Sequence, residues 1–297
     1  MQQTEAILYD MQRGMPYGVF RRAGRAGHAV AAFFAVWLRE VRKMNARENY
    51  LTAARGGKPE RVPVFPGDCN VFMPDFWLDR DPETGVDFCN IRWVKNDVGE
   101  MPEPGWKAMG EISQWRETVR FPDPSAMDWE GMAQRFEETK DPDKVNIAML
   151  NTNGIFLIPV NMLGWEDALC AVCEEPEEME AFASAIADFL VCVAGYIGKY
   201  IHPDIVFTGD DFAAAGGPFL AREVFRSIYK PHLKRINEAI HEIGALAEFH
   251  CCGNCQYLIR EFLDCGAAVS YTHLGGGMDT GQRAGGGKVR LQHNGCY

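Results

Sequence analysis

The stretch DIVFT at residues 204–208, followed by REVFRSIYKPHLKRINEAIHEI at 222–243 and GALAEFH at 244–250, decides how this chain folds. A short β-branched run, a long helical pattern and a second short apolar run make a strand–helix–strand unit. Phe225, Ile228, Leu233, Ile236 and Ile240 recur at helical spacing and mark the buried stripe of the helix. Gly244 stops it, because glycine takes the left-handed conformation that ends helices. Two strands joined across a helix run parallel.

The same alternation extends in both directions. Asn45 caps a helix through Glu48, Leu51 and Ala54, ended by Gly56-Gly57. Arg61–Phe65 and Asn146–Leu150 read as strands. Pro176 opens a helix whose first turn carries Glu177 and Glu178, where carboxylates suit the dipole. Met179, Phe182, Ile186, Phe189 and Val193 form its apolar stripe. Beyond His250, Gln256–Leu263 reads as a helix, and Ala267–Val269 begins another strand. Strand–helix repeats predict an α/β fold with a parallel sheet and helices outside. A (β/α) barrel and an open doubly wound sheet both satisfy that pattern.

Charge divides the chain into three. Residues 1–43 carry seven Lys/Arg against three Asp/Glu and residues 270–297 carry three against one, leaving 20 basic and 37 acidic residues in 44–269, a net of -17 there. The chain as a whole stands at -11, which argues against nucleic acid or an anionic membrane as partner. In the first segment Arg21, Arg22 and Arg25 precede the apolar run Ala29–Leu38, an arrangement similar to a signal peptide. The run is too short to span a bilayer and leads into Arg39, Glu40, Arg42 and Lys43 rather than a small-residue cleavage site. Residues 1–43 are therefore expected to be a non-native extension, with the domain starting at Met44. The glycine-rich residues 270–297 lack apolar periodicity and are expected to be a disordered tail or sequence read out of frame. The ten cysteines are irregularly spaced in a long chain, which fits a reducing, cytoplasmic compartment rather than a disulfide framework.

Chemistry concentrates at the ends of two predicted strands. Side chains alternate along a strand, so His250 and Cys252 point one way while Cys251 points the other. An imidazole and a thiolate on one face suit zinc, which a catalytic site holds through three protein ligands and one open position. A buried histidine among core cysteines is the plain alternative. Cys255 starts the next helix and is a further candidate ligand by residue type. Asp210 and Asp211 follow the strand at 204–208 and are candidates for substrate binding or proton transfer. Asp97 is a weaker candidate for substrate binding, and Phe156, Met162 and Trp165 read as core.

Three sets of residues resemble the uroporphyrinogen decarboxylase superfamily, in order along residues 44–269. These are Arg47–Gly56 with Pro59–Val64, Gly164–Leu169 with Glu175–Met179, and Gly209-Asp210-Asp211 with Lys230-Pro231 and His241–Gly244. The resemblance implies a (β/α)8 TIM barrel, incomplete at its C-terminal end. His250-Cys251-Cys252-Gly253-Asn254 resembles the His-x-Cys-Gly-Asn motif of its methyltransferase branch. That branch implies zinc on His250, Cys252 and a cysteine much nearer the C-terminus. It also implies methyl transfer between a corrinoid cofactor, carried on a partner protein, and a zinc-activated small-molecule thiol or other methyl acceptor. Lacking that distal cysteine, the chain is expected to bind zinc weakly or not at all, and Cys296 is not expected to replace it. The decarboxylase branch implies an arginine-rich motif after the first strand, where Pro66-Gly67-Asp68-Cys69-Asn70 has none. Arg21-Arg22-Ala23-Gly24-Arg25 matches it only in letters, before the opening helix. A porphyrinogen decarboxylase and an inactive, partner-binding fragment remain the alternatives.

Overall fold

The computed structural model describes residues 43–97, 99–267 and 269–272. Five strands, β1 (Cys69–Phe72), β2 (Val145–Met149), β3 (Ile205–Gly209), β4 (Leu246–Cys251) and β5 (Val269–Thr272), form one sheet in sequential order. Every neighbouring pair is parallel. Strands that follow one another without reversal of direction wind one way, as in a barrel; a doubly wound sheet reverses at a switch point. Among the described residues the sheet ends at β1 and β5, an arrangement consistent with a partial barrel.

Helix α1 (Ala46–Ala54) precedes β1, and the longer helices between the strands are α2 (Trp129–Thr139), α3 (Leu157–Leu163), α4 (Trp165–Glu174), α5 (Pro176–Tyr200), α6 (Lys230–Glu242) and α7 (Ile259–Asp264). The Asn45 cap is a full capping box: its side chain accepts from the Glu48 amide, and Glu48 accepts from the Asn45 amide. The helix expected at 222–243 spans Arg222–Glu242 but widens to a π turn over Phe225–Tyr229. Pro231 follows that turn, and a proline without an N–H cannot take part in the regular ladder there. Gly244, at φ 83°, ends the helix as expected. Helix α5 is apolar and long enough to cross a membrane by length and composition, yet half of its most apolar window is buried within the fold.

The pleat separates two cores. Phe72, Ala148, Val206, Ala247, Phe249 and Cys251 face the helices and join the main cluster. Cys69, Val145, Ile147 and Ile205 face the other way, packing on Tyr50, Leu51 and Ala54 of α1, with Phe65, Phe207 and Leu246 beside them. Helix α1 thus packs on the face away from the other helices, and the same face carries Glu248 and His250.

Three sequence expectations are revised. The first strand among the described residues is Cys69–Phe72, and Arg61–Phe65 is not a strand. Pro63 and Pro66 bring no ladder donors, Val62 and Val64 are 68% and 50% exposed, and side chains take up the backbone instead. Asn49 binds the amides of Glu60 and Arg61, and Asp68 binds the Val64 amide and the Arg61 guanidinium. The last strand is Val269–Thr272 rather than 267–269, so Ser270–Thr272, assigned by sequence to the tail, belong to the sheet. The expectations for residues 1–42 and 273–297 lie outside the described residues.

One ion cluster ties α6 to α7. Arg226 and Lys230 reach Glu261, whose side chain is 1% exposed, at 2.7 and 2.6 Å. Arg226, then Lys230, hold its carboxyl down at about 2, from an ordinary 4.5. A depressed carboxyl stabilises the fold above the ordinary pKa and loses that contribution as pH falls through the folded value. Glu261→Gln should therefore cost about 1–3 kcal/mol at neutral pH and flatten the loss of stability between about pH 4.5 and 2. Urea unfolding across that range checks it, and an unchanged acid limb would contradict the assignment.

Candidate metal centre

His250 lies near the end of β4, on the face away from the helices, with its ring stacked against Phe207 at 5.9 Å between centroids. Its Nε2 is 3.0 Å from Cys252 Sγ. Cys251, between them, points into the helical core and is fully buried. There its sulfur accepts from the Phe212 amide at 3.3 Å. The Cys255 thiol beside it and burial push the Cys251 thiol well above its ordinary pKa. Both are features of an inert core thiol. Alternation along the strand separates His250 from Cys251, and Cys252, just past the strand end with its amide bound by Asp211, returns to the His250 side.

The chain turns sharply after Cys252. Gly253 has φ 80°, and a Cβ there would lie 2.5 Å from the Ala213 carbonyl oxygen, so only glycine fits without displacing the backbone. The Asn254 amide donates to the Ala214 carbonyl at 2.8 Å and holds the turn against the short hairpin Ala213–Pro218.

The two aspartates after β3 separate. Asp211 Oδ1 accepts from the Cys252 amide at 2.6 Å and lies 3.7 Å from His250 Nε2. One donor atom each from Asp211, His250 and Cys252 lies within 4.8 Å of the others, and all three residues are half-buried. Asp210 is outside this cluster. It is 3% exposed and accepts from the Phe156 and Leu157 amides, both at 2.9 Å, at the start of α3. Burial pushes its pKa up to about 8, and Asp211 adds to this, against the pull of those amides. Gly154 makes room for it, since a Cβ there would fall 2.5 Å from the carboxylate. Asp210, a catalytic candidate from sequence, therefore stands as an anchor at a helix N-terminus.

Asp97, expected to bind substrate, is exposed between the two strands of the hairpin Trp93–Lys95 and Glu100–Pro102 and is not part of the cluster. Phe156 and Met162 are core as expected, whereas Trp165 is 45% exposed and packs on Phe219. Residues 73–79, which follow β1, contain no arginine, and Arg80 after them donates to the Trp77 and Asp79 carbonyls.

Glu248 was not foreseen. It lies one pleat below His250 on the same face, 4% exposed, with Oε2 buried and without a hydrogen-bond partner. Burial pushes its carboxyl up to about 7, against a hydrogen bond from Tyr50. The signal was present in the sequence: an acid inside Leu246-Ala247-Glu248-Phe249, two residues before His250, sits on the inward face of an otherwise apolar strand.

One imidazole, one thiol and one carboxylate suit a zinc-class ion, whereas calcium and magnesium call for oxygen shells. No family model matches the sequence, and no curated protein does. Among solved structures, a methyltransferase from Methanosarcina mazei is similar in fold, with a TM-score of 0.50 and 12% identity over 76% of this chain and 75% of that one. The likeness bears on the fold: a parallel sheet with alternating helices, arranged as in a methyltransferase.

Asp210→Ala should leave the Phe156 and Leu157 amides without their acceptor and cost about 1–3 kcal/mol. Asp97→Ala should change stability by no more than about 0.5 kcal/mol. Urea unfolding of the two variants compares them directly, and equal effects would remove the anchoring role.

Proposed function

We propose that this chain is a metal-dependent methyltransferase of the uroporphyrinogen decarboxylase superfamily. Its reaction moves a methyl group between a corrinoid, carried on a partner protein, and a small thiol. The observation that carries the reading is the 3.0 Å approach of His250 Nε2 to Cys252 Sγ at the C-terminal rim of a parallel sheet. That rim is where barrel enzymes place their chemistry. The fold likeness to the Methanosarcina mazei methyltransferase supports it.

Zinc on these donors would supply Lewis acidity that lowers the pKa of a bound thiol. The chain's own residues do the rest. Phe207 stacks on the imidazole and restricts its rotation. Asp211 fixes the Cys252 turn through the amide of that residue. Ile205 and Ile147, with α1 against them, form an apolar layer deeper on the same face.

A porphyrinogen decarboxylase is disfavoured by the -17 charge of residues 44–269, which opposes a polyanionic substrate, and by the lack of an arginine cluster just after β1, where Arg80 stands alone and is bound to the Trp77 and Asp79 carbonyls.

Zinc loading and the thiol-dependent consumption of methylcobalamin, followed by absorbance, test the reading. Cys252→Ala should weaken zinc at least tenfold and abolish methyl transfer, whereas Cys251→Ala, although destabilising, should retain both in its folded fraction. Equal zinc loss from the two would refute the geometry. Zinc binding without methylcobalamin consumption would leave a metal-binding protein of another activity, and metal-free decarboxylation of a porphyrinogen would overturn the assignment.

A further inference from the structure

The motif His250-x-Cys252 supplies two donors, and a zinc-class site needs a third. We propose that Asp211 is that third protein ligand and that Asp210 is the residue that positions it. The inference rests on the reading of His250 and Cys252 as metal donors and departs from the distal cysteine that the sequence resemblance implies.

Distance supports it first. Donor atoms on a tetrahedral zinc with bonds of roughly 2.0–2.3 Å lie about 3.3–3.8 Å apart. Asp211 Oδ1 is 3.7 Å from His250 Nε2, and the three donor atoms all lie within 4.8 Å. The His250–Cys252 pair, at 3.0 Å, needs to open by only a few tenths of an ångström.

The carboxylate is also only partly committed. No lysine or arginine pairs with Asp211 among the described residues, although arginines and lysines pair with acids throughout the rest of the fold. Its hydrogen bond from the Cys252 amide uses part of the acceptor capacity of one oxygen and aims the group at the donor pair. With an anionic thiolate and a neutral imidazole, the Asp211 carboxylate brings the ligand charge to -2, matching a divalent ion.

Placement is the third support. Asp210 donates its backbone N–H to the His250 carbonyl at 3.0 Å, while its side chain binds the Phe156 and Leu157 amides. This fastens the residue before Asp211 to both β4 and the start of α3. A freely moving carboxylate would lose side-chain entropy on binding a metal; the Asp211 carboxylate is already held by the Cys252 amide, and Asp210 holds the backbone before it.

Metal loading should therefore not depend on Cys296. The full chain, titrated with Zn2+ against a chromogenic chelator, should take up one ion, and Cys296→Ser should leave the affinity unchanged. Asp211→Ala should weaken binding at least tenfold, within the range that loss of a supporting group produces, and Asp211→Glu should recover part of the loss. Asp210→Ala should weaken zinc threefold or more in protein with unchanged circular dichroism, and Asp210→Asn, which keeps one acceptor, should fall between. The Co2+ form of the unmutated chain gives a readout that needs no variant: its charge-transfer band should have the intensity of one thiolate. Zinc held equally by wild type and Asp211→Ala, a two-thiolate cobalt spectrum, or zinc lost with Cys296→Ser would each overturn the ligand assignment and leave the proposed function standing. No zinc on the unmutated chain would sink both.

Discussion

Along Leu246–Cys251 successive side chains turn to opposite faces of the sheet, and the rest of the site depends on that alternation. Ala247, Phe249 and Cys251 are sealed into the helical core. A slip of one residue would expose all three and bury His250 against the helices. Register with β3, in which Ile205 opposes Leu246 and Gly209 opposes His250, is therefore specified by apolar burial well away from any metal. Burial of the aromatic Phe249 alone is worth roughly 2–3 kcal/mol. The hydrophobic core thus holds the imidazole at the rim.

The second constraint is the turn after β3. Two adjacent aspartates leave the strand and go to different environments, one to α3 amides and one to the Cys252 amide. Burying a carboxylate is tolerable only where its oxygens are satisfied, and Asp210 meets that condition at a helix N-terminus. Gly154 and Gly253 serve this arrangement from two sides, each leaving room that a Cβ would fill. Loops at this rim therefore have little freedom, which suits a preorganised centre.

Periodicity made the strand–helix alternation legible, since Ile205–Gly209, Leu246–Cys251 and α5 are long or apolar enough to stand alone as signals. It failed at Arg61–Phe65, where β-branched residues imitate a strand but two prolines and side-chain hydrogen bonds to Asn49 and Asp68 make a turn. Period-two alternation placed His250 and Cys251 because both lie in the strand, and Cys252, one residue past its end, continues that alternation with its amide held by Asp211. It could not separate Asp210 from Asp211, because beyond the strand end the direction of each side chain is set by contacts to residues some 40 to 54 positions away. Glu248 was readable by the same alternation that found His250. Asp97 had no such support, and its place in a hairpin loop leaves it in solvent.

Anomalous diffraction at the zinc edge, from crystals of the chain grown with zinc, addresses the central claim directly. The account predicts one strong peak within roughly 2.0–2.3 Å of His250 Nε2, Cys252 Sγ and an Asp211 oxygen, with Cys251 still buried beside Phe212. A peak on Cys251 and Cys255, or none at the rim of β3 and β4, would contradict it.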